Sequence, residues 1–86
     1  MRVKIEVTLV SKSKGSNNAM NFYFEGAAGK TYFFEASRDP SGNYTNAMGK
    51  LLDITTHTKF MISTEIIPKG EKRFRLYDPR IVKELD

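Results

Sequence analysis

The chain has 86 residues, 40% apolar and 12% aromatic, enough for one small domain with one core and too hydrophobic for a disordered chain. It has no cysteine, which excludes disulfides, thiolate chemistry and cysteine zinc sites together. Fourteen Lys and Arg against 10 Asp and Glu give a net charge of +4, favouring an acidic partner, either nucleic acid or an acidic protein surface.

Residues 2–10, "RVKIEVTLV", alternate, with Val3, Ile5, Val7 and Leu9 on one face, as a half-buried strand does. The N-terminus has no continuous apolar stretch and no run approaches the roughly 18 residues of a membrane span, so a cytoplasmic chain without a membrane segment is expected. Residues 11–19, "SKSKGSNNA", are polar and aperiodic, and read as a mobile loop carrying Lys12 and Lys14.

"MNFYFE" and "KTYFFEAS" follow around "GAAG". Their apolar faces are Met20, Phe22 and Phe24, and Tyr32, Phe34 and Ala36. Cross-strand partners share a face, so even positions must pair with even ones. That sets a three-residue loop, Ala27-Ala28-Gly29, with Phe24 opposite Tyr32 and Phe22 opposite Phe34. Gly29 supplies the left-handed residue such loops favour.

"RDPSGN", residues 38–43, is turn chemistry. Tyr44, Ala47, Met48, Leu51, Leu52 and Thr55 then recur at helical spacing, predicting an amphipathic helix over 41–56 with Ser41 or Asn43 as N-cap. Gly49 inside it would permit close approach to a sheet. His57 falls at the expected helix end, where the dipole favours an imidazolium.

"KFMISTEII" and "EKRFRLYD" read as two more strands around a three-residue Pro68-Lys69-Gly70 loop. That register sets Glu65 opposite Arg73, Ser63 opposite Arg75 and Met61 opposite Tyr77. Asp78 suits an N-cap and Pro79 a first helical position, so Ile81, Val82 and Leu85 read as the stripe of a short C-terminal helix. The expected fold is α+β in the order β-β-β-α-β-β-α: a five-stranded, largely antiparallel sheet with one amphipathic helix on a face, in a single domain over 1–86.

The outer face would carry Tyr23 beside Phe33, with Arg73, Arg75 and Tyr77 near them and Lys12 and Lys14 on the loop. Aromatic faces that stack bases, with cations that hold phosphates, form a platform for single-stranded nucleic acid. The same residue types anchor protein interfaces. A protein-binding adaptor or inhibitor using this face or a sheet edge, or a homo-oligomer, is the alternative. Cross-strand aromatic and Glu–Arg pairs also stabilise sheets unaided, by about 0.2–1 kcal/mol each, and the C-terminal helix is a candidate cover for Tyr23 and Phe33.

Catalytic signatures are lacking. His57 is the sole histidine, the serines have no nucleophile motif, and "GAAGKT" lacks phosphate-loop spacing and precedes a strand. The expectation is a non-enzymatic binding protein with no cofactor and no metal.

Overall fold

The computed structural model describes residues 1–46, 48–49 and 57–85. Five strands, β1 (Val3–Lys14), β2 (Met20–Glu25), β3 (Thr31–Ala36), β4 (Lys59–Pro68) and β5 (Arg73–Leu85), close into a barrel in the order β1-β2-β3-β5-β4. β3 and β5 run parallel; the other four neighbouring pairs are antiparallel. β1, β2 and β3 form a meander and the long connection after β3 returns β4 to the side of β1, a Greek key. β5 then closes the gap between β4 and β3.

This corrects the expected α+β class. The chain is mostly β, and among the described residues helical backbone beyond two three-residue turns occurs only at Met48 and Gly49. The start of the expected 41–56 helix is a turn built on Asp39. Its Oδ1 accepts from the Ser41 amide (3.0 Å), the Ser41 hydroxyl (2.7 Å) and the Asn43 amide (3.0 Å). Neither Ser41 nor Asn43 caps a helix; Asn46 instead accepts the Met48 amide at 2.8 Å. Ala47 and 50–56, including Leu51, Leu52 and Thr55 of the expected stripe, lie outside the described residues. Gly49 does sit close-packed: a Cβ there would lie 2.9 Å from the Tyr44 ring and 3.1 Å from the Ala36 Cβ.

The Ser41 hydroxyl, then the Asn43 amide, hold the Asp39 carboxyl below its ordinary value. A lowered folded value means the turn is supported above the unfolded pKa and loses that support as pH falls through the folded one. In an NMR acid titration, the Ser41 and Asn43 amides should shift together with a midpoint below that of a free aspartate. A midpoint at or above it would contradict the turn.

The first strand pair prediction holds residue for residue: Phe22 pairs with Phe34, Tyr23 with Phe33 and Phe24 with Tyr32. The Ala27–Gly29 loop carries left-handed backbone at Ala28 (φ 58°) as well as Gly29 (φ 74°). The β1–β2 connection uses the same design, with the Gly15 amide on the Ala19 carbonyl and left-handed Asn17 and Asn18. It replaces most of the expected 11–19 loop, because β1 continues to Lys14.

The β4–β5 hairpin is displaced from expectation. The Lys69 amide bonds the Arg73 carbonyl at 2.8 Å, so the loop is Gly70-Glu71-Lys72, two residues later. Parity survives but the register slides by four: Glu65 faces Tyr77 and Ile67 faces Arg75.

The expected C-terminal helix is strand. Ile81 pairs with Ile62, Lys83 with Met61 and Leu85 with Lys59, because the first half of β4 needs backbone partners on that side. Asp78 and Pro79 together oppose Thr64 in a bulge, where proline's missing N–H costs no ladder bond. Asp78 is left-handed there (φ 49°). Arg2 fastens the bulge, donating to the carbonyls of Ser63 (2.7 Å) and Asp78 (2.8 Å) and pairing with the Asp78 carboxylate at 3.3 Å.

Inside the barrel lie Val7, Leu9, Phe22, Phe24, Tyr32, Phe34, Phe60, Ile62 and Leu76. Thr64 is buried with them, its hydroxyl within 2.8 Å of the Glu65 carbonyl and 3.2 Å of the Tyr77 carbonyl. Tyr32 stacks on Phe74 with centroids 5.4 Å apart, and burial raises its phenol pKa.

Candidate functional site

Pairing parity turns the odd positions of β2, β3 and the first half of β5 outward. Since Tyr23 faces Phe33 and Phe33 faces Arg75, these three side chains form one row across three strands. Ser11 extends the row onto β1 and Ile67 onto β4. With β5 a strand to its end, the helix expected as a cover for the aromatic pair does not exist. Tyr23 is 37% exposed and Tyr77, one outward position beyond Arg75, is 56% exposed. Phe33 is half-buried. The Ser13 hydroxyl lies 3.5 Å from the Tyr23 phenol oxygen.

A second outward row runs beside the first: Glu25 faces Thr31, and Thr31 faces Arg73. A groove of about 210 Å³ has Tyr23, Phe33, Glu25, Thr31 and Arg73 of the two rows in its lining, together with Val10. The register shift frees Arg73 from Glu65, the partner the sequence implied.

Lys12 and Lys14 are placed differently from expectation. β1 carries a bulge between Leu9 and Ser11, and one extra residue reverses the alternation. Beyond it Ser11 and Ser13 share the Tyr23 face, while Lys12 faces Phe22 and Lys14 faces Met20. The two lysines therefore point to the opposite side of the β1–β2 ribbon from the aromatic row. Exposed, left-handed His57 (φ 53°) lines a small groove with Lys12.

Other cations take the place expected for those lysines. The parallel β3–β5 pairing brings the β2–β3 and β4–β5 loops together: the Lys72 carbonyl accepts from the Thr31 amide at 2.8 Å and lies 3.2 Å from its hydroxyl. Lys30 turns away from the rows: its Nζ is 6.0 Å from the centroid of the core-side Phe74 ring, and it lines a different groove. Lys69, whose amide bonds the Arg73 carbonyl, and Lys72 thus stand at the Arg73 end of the two rows. Their sequence trace is "PKGEK", which means little until the β3–β5 neighbourhood is known.

A groove of about 670 Å³ mixes Lys4, Lys30 and Lys59 with Glu6 and Glu25. Lys59 pairs with Glu6 at 3.4 Å there, so those two charges offset one another. Among the described residues no group of three or more His, Asp or Glu side chains is placed to hold a metal, and no helix is long and apolar enough to cross a membrane.

No protein-family model, curated protein or solved structure matches the chain. What fold and site define together is a five-stranded Greek-key barrel with an uncovered aromatic and arginine strip on one wall.

Proposed function

We propose that this protein is a non-enzymatic module that binds single-stranded nucleic acid on the outer wall formed by β2, β3 and β5. The observation that carries the reading is the row Tyr23–Phe33–Arg75 in a single register, with Tyr23 uncovered. Bases stack on the two rings, while Arg73 and Arg75, with Lys69 and Lys72 beside them, hold the phosphates. The architecture supports the same wall by analogy: five-stranded Greek-key barrels of the oligonucleotide/oligosaccharide-binding kind use the faces of strands 2 and 3 and the 1–2 and 4–5 loops. The three-residue β3–β5 pairing that closes the barrel shortens the free edge open to an edge-docked partner.

The test is fluorescence anisotropy with a labelled, unstructured oligonucleotide across a salt series. Affinity should fall steeply with salt, and Arg73→Ala with Arg75→Ala should flatten the log–log slope by about 1.4, each of the two phosphate contacts contributing roughly 0.7 on a single strand. Unchanged affinity of the double variant at low salt would overturn the site. A nuclease-resistant stoichiometric protein partner, with no oligonucleotide binding, would overturn the function.

A further inference from the structure

We infer that the second row makes this wall selective for guanine, an inference that rests on the single-strand reading above. Glu25, Thr31 and Arg73 stand in line one step along the strands from the aromatic row, a displacement of about 6.7 Å, with about 4.8 Å between neighbouring strands. A base stacked on Tyr23 or Phe33 therefore presents its edge to this second row. Glu25 and Arg73 are two strands apart, about 10 Å between backbones, and both line the same groove.

A carboxylate is a poor neighbour for a phosphate and a good acceptor for base donors. Its two oxygens match two adjacent donors, and among the bases only guanine offers these, as N1–H and the N2 amine on its Watson–Crick edge. Cytosine and adenine offer one amine there, and thymine one imide N–H. At a guanine the Arg73 fork turns from the phosphate to the acceptors O6 and N7, O6 at the end of that edge and N7 on the adjoining Hoogsteen edge. Thr31 is oriented between them: its hydroxyl is 3.2 Å from the Lys72 carbonyl, so its proton points there and a lone pair remains for a base amine. Among the described residues neither the Glu25 carboxylate nor the Arg73 guanidinium has a hydrogen-bonded or ion-paired partner, so no internal contact has to break.

Two observations meet in this assignment, a register that aligns an acceptor and a fork, and a groove joining them to the stacking row. They also give Glu25 a role on a wall that carries a second outward carboxylate, Glu35, opposite Asn21.

The experiment compares thymine-tract oligonucleotides that differ only at one central base, by anisotropy at fixed salt. Central guanine should bind about tenfold tighter than central thymine, as one well-made bidentate contact provides. Hypoxanthine, which lacks the N2 amine, should lose much of that gain. In Glu25→Gln the guanine-to-thymine affinity ratio should fall towards one, and Arg73→Lys, which keeps the charge and loses the fork, should lower it too. Equal binding of all central bases, or a preference that survives both substitutions, overturns guanine selectivity and leaves single-strand binding standing. Failure of every oligonucleotide to bind overturns both.

Discussion

Replacing Tyr23 and Phe33 together by leucine should lower affinity for an unstructured oligonucleotide by at least about tenfold. Stacking on an aromatic side chain contributes about 1–3 kcal/mol per base, and leucine keeps apolar bulk without a ring face. The two positions face each other across β2 and β3, so both losses fall on neighbouring bases. Tyr23 and the half-buried Phe33 lie on the outer wall rather than in the core, and the leucines leave the barrel interior filled. The urea midpoint should therefore move little while binding falls, and the residual binding should keep its salt dependence because the arginines remain. If the double variant binds as tightly as the parent chain, stacking on this row is not how the protein holds its ligand.

The largest stability effect should come from Phe60→Ala. Phe60 is fully buried. It pairs with Val7 on β1 and Glu84 on β5, so its ring lies inside the barrel at the β1–β4–β5 seam. Truncating such a ring removes transfer free energy and leaves a cavity, a loss of about 3–5 kcal/mol. A domain of this size has a total of only several kcal/mol, so the variant should be largely unfolded near 37 °C. Phe60→Leu, which preserves most of the volume, should lose about 1.5 kcal/mol or less. Chemical denaturation reads both. A loss under about 1 kcal/mol for alanine would mean that the ring is not enclosed by the barrel.

Much of the local structure was legible because strands repeat with period two. The apolar face of Val7 and Leu9 and the complete β2–β3 register follow from that period and from one loop length. Parity also placed Phe74 and Leu76 on the core side, even though the β4–β5 loop lies two residues later than expected. What parity does not carry is strand order. The parallel pairing of β3 with β5 joins residues more than forty positions apart, as in Thr31 with Arg73, and no local pattern announces it. The placement of Lys69 and Lys72 beside Thr31 and Arg73 depends on that pairing and was invisible for the same reason.

Two misreadings had a common physical source, the bulge. In β1 an extra residue near Val10 breaks the alternation, so residues 11–14 read as loop although the strand continues, with Lys12 and Lys14 on the side away from the aromatic row. In β5 the Asp-Pro pair resembles a helix start, since aspartate caps helices and proline opens them. In the barrel the same two residues serve a bulge, with Asp78 in a left-handed conformation under the Arg2 guanidinium. The outcome is set by the long β4, whose unpaired half recruits residues 80–85 as strand. Local propensity lost to tertiary pairing. That loss left Tyr23 and Tyr77 open on the wall instead of under a helix, which makes the aromatic row available.

The central claim is that one wall of the barrel, and not another, receives a single strand. Amide chemical-shift mapping during titration with an unstructured oligonucleotide tests it most directly. The shifts should concentrate at 21–25, 31–35 and 73–77, with smaller ones at Lys69 and Lys72 and little change at Lys12, Lys14 and His57. Shifts centred on the Lys12 and Lys14 side of the β1–β2 ribbon, or none at saturating oligonucleotide, would contradict it.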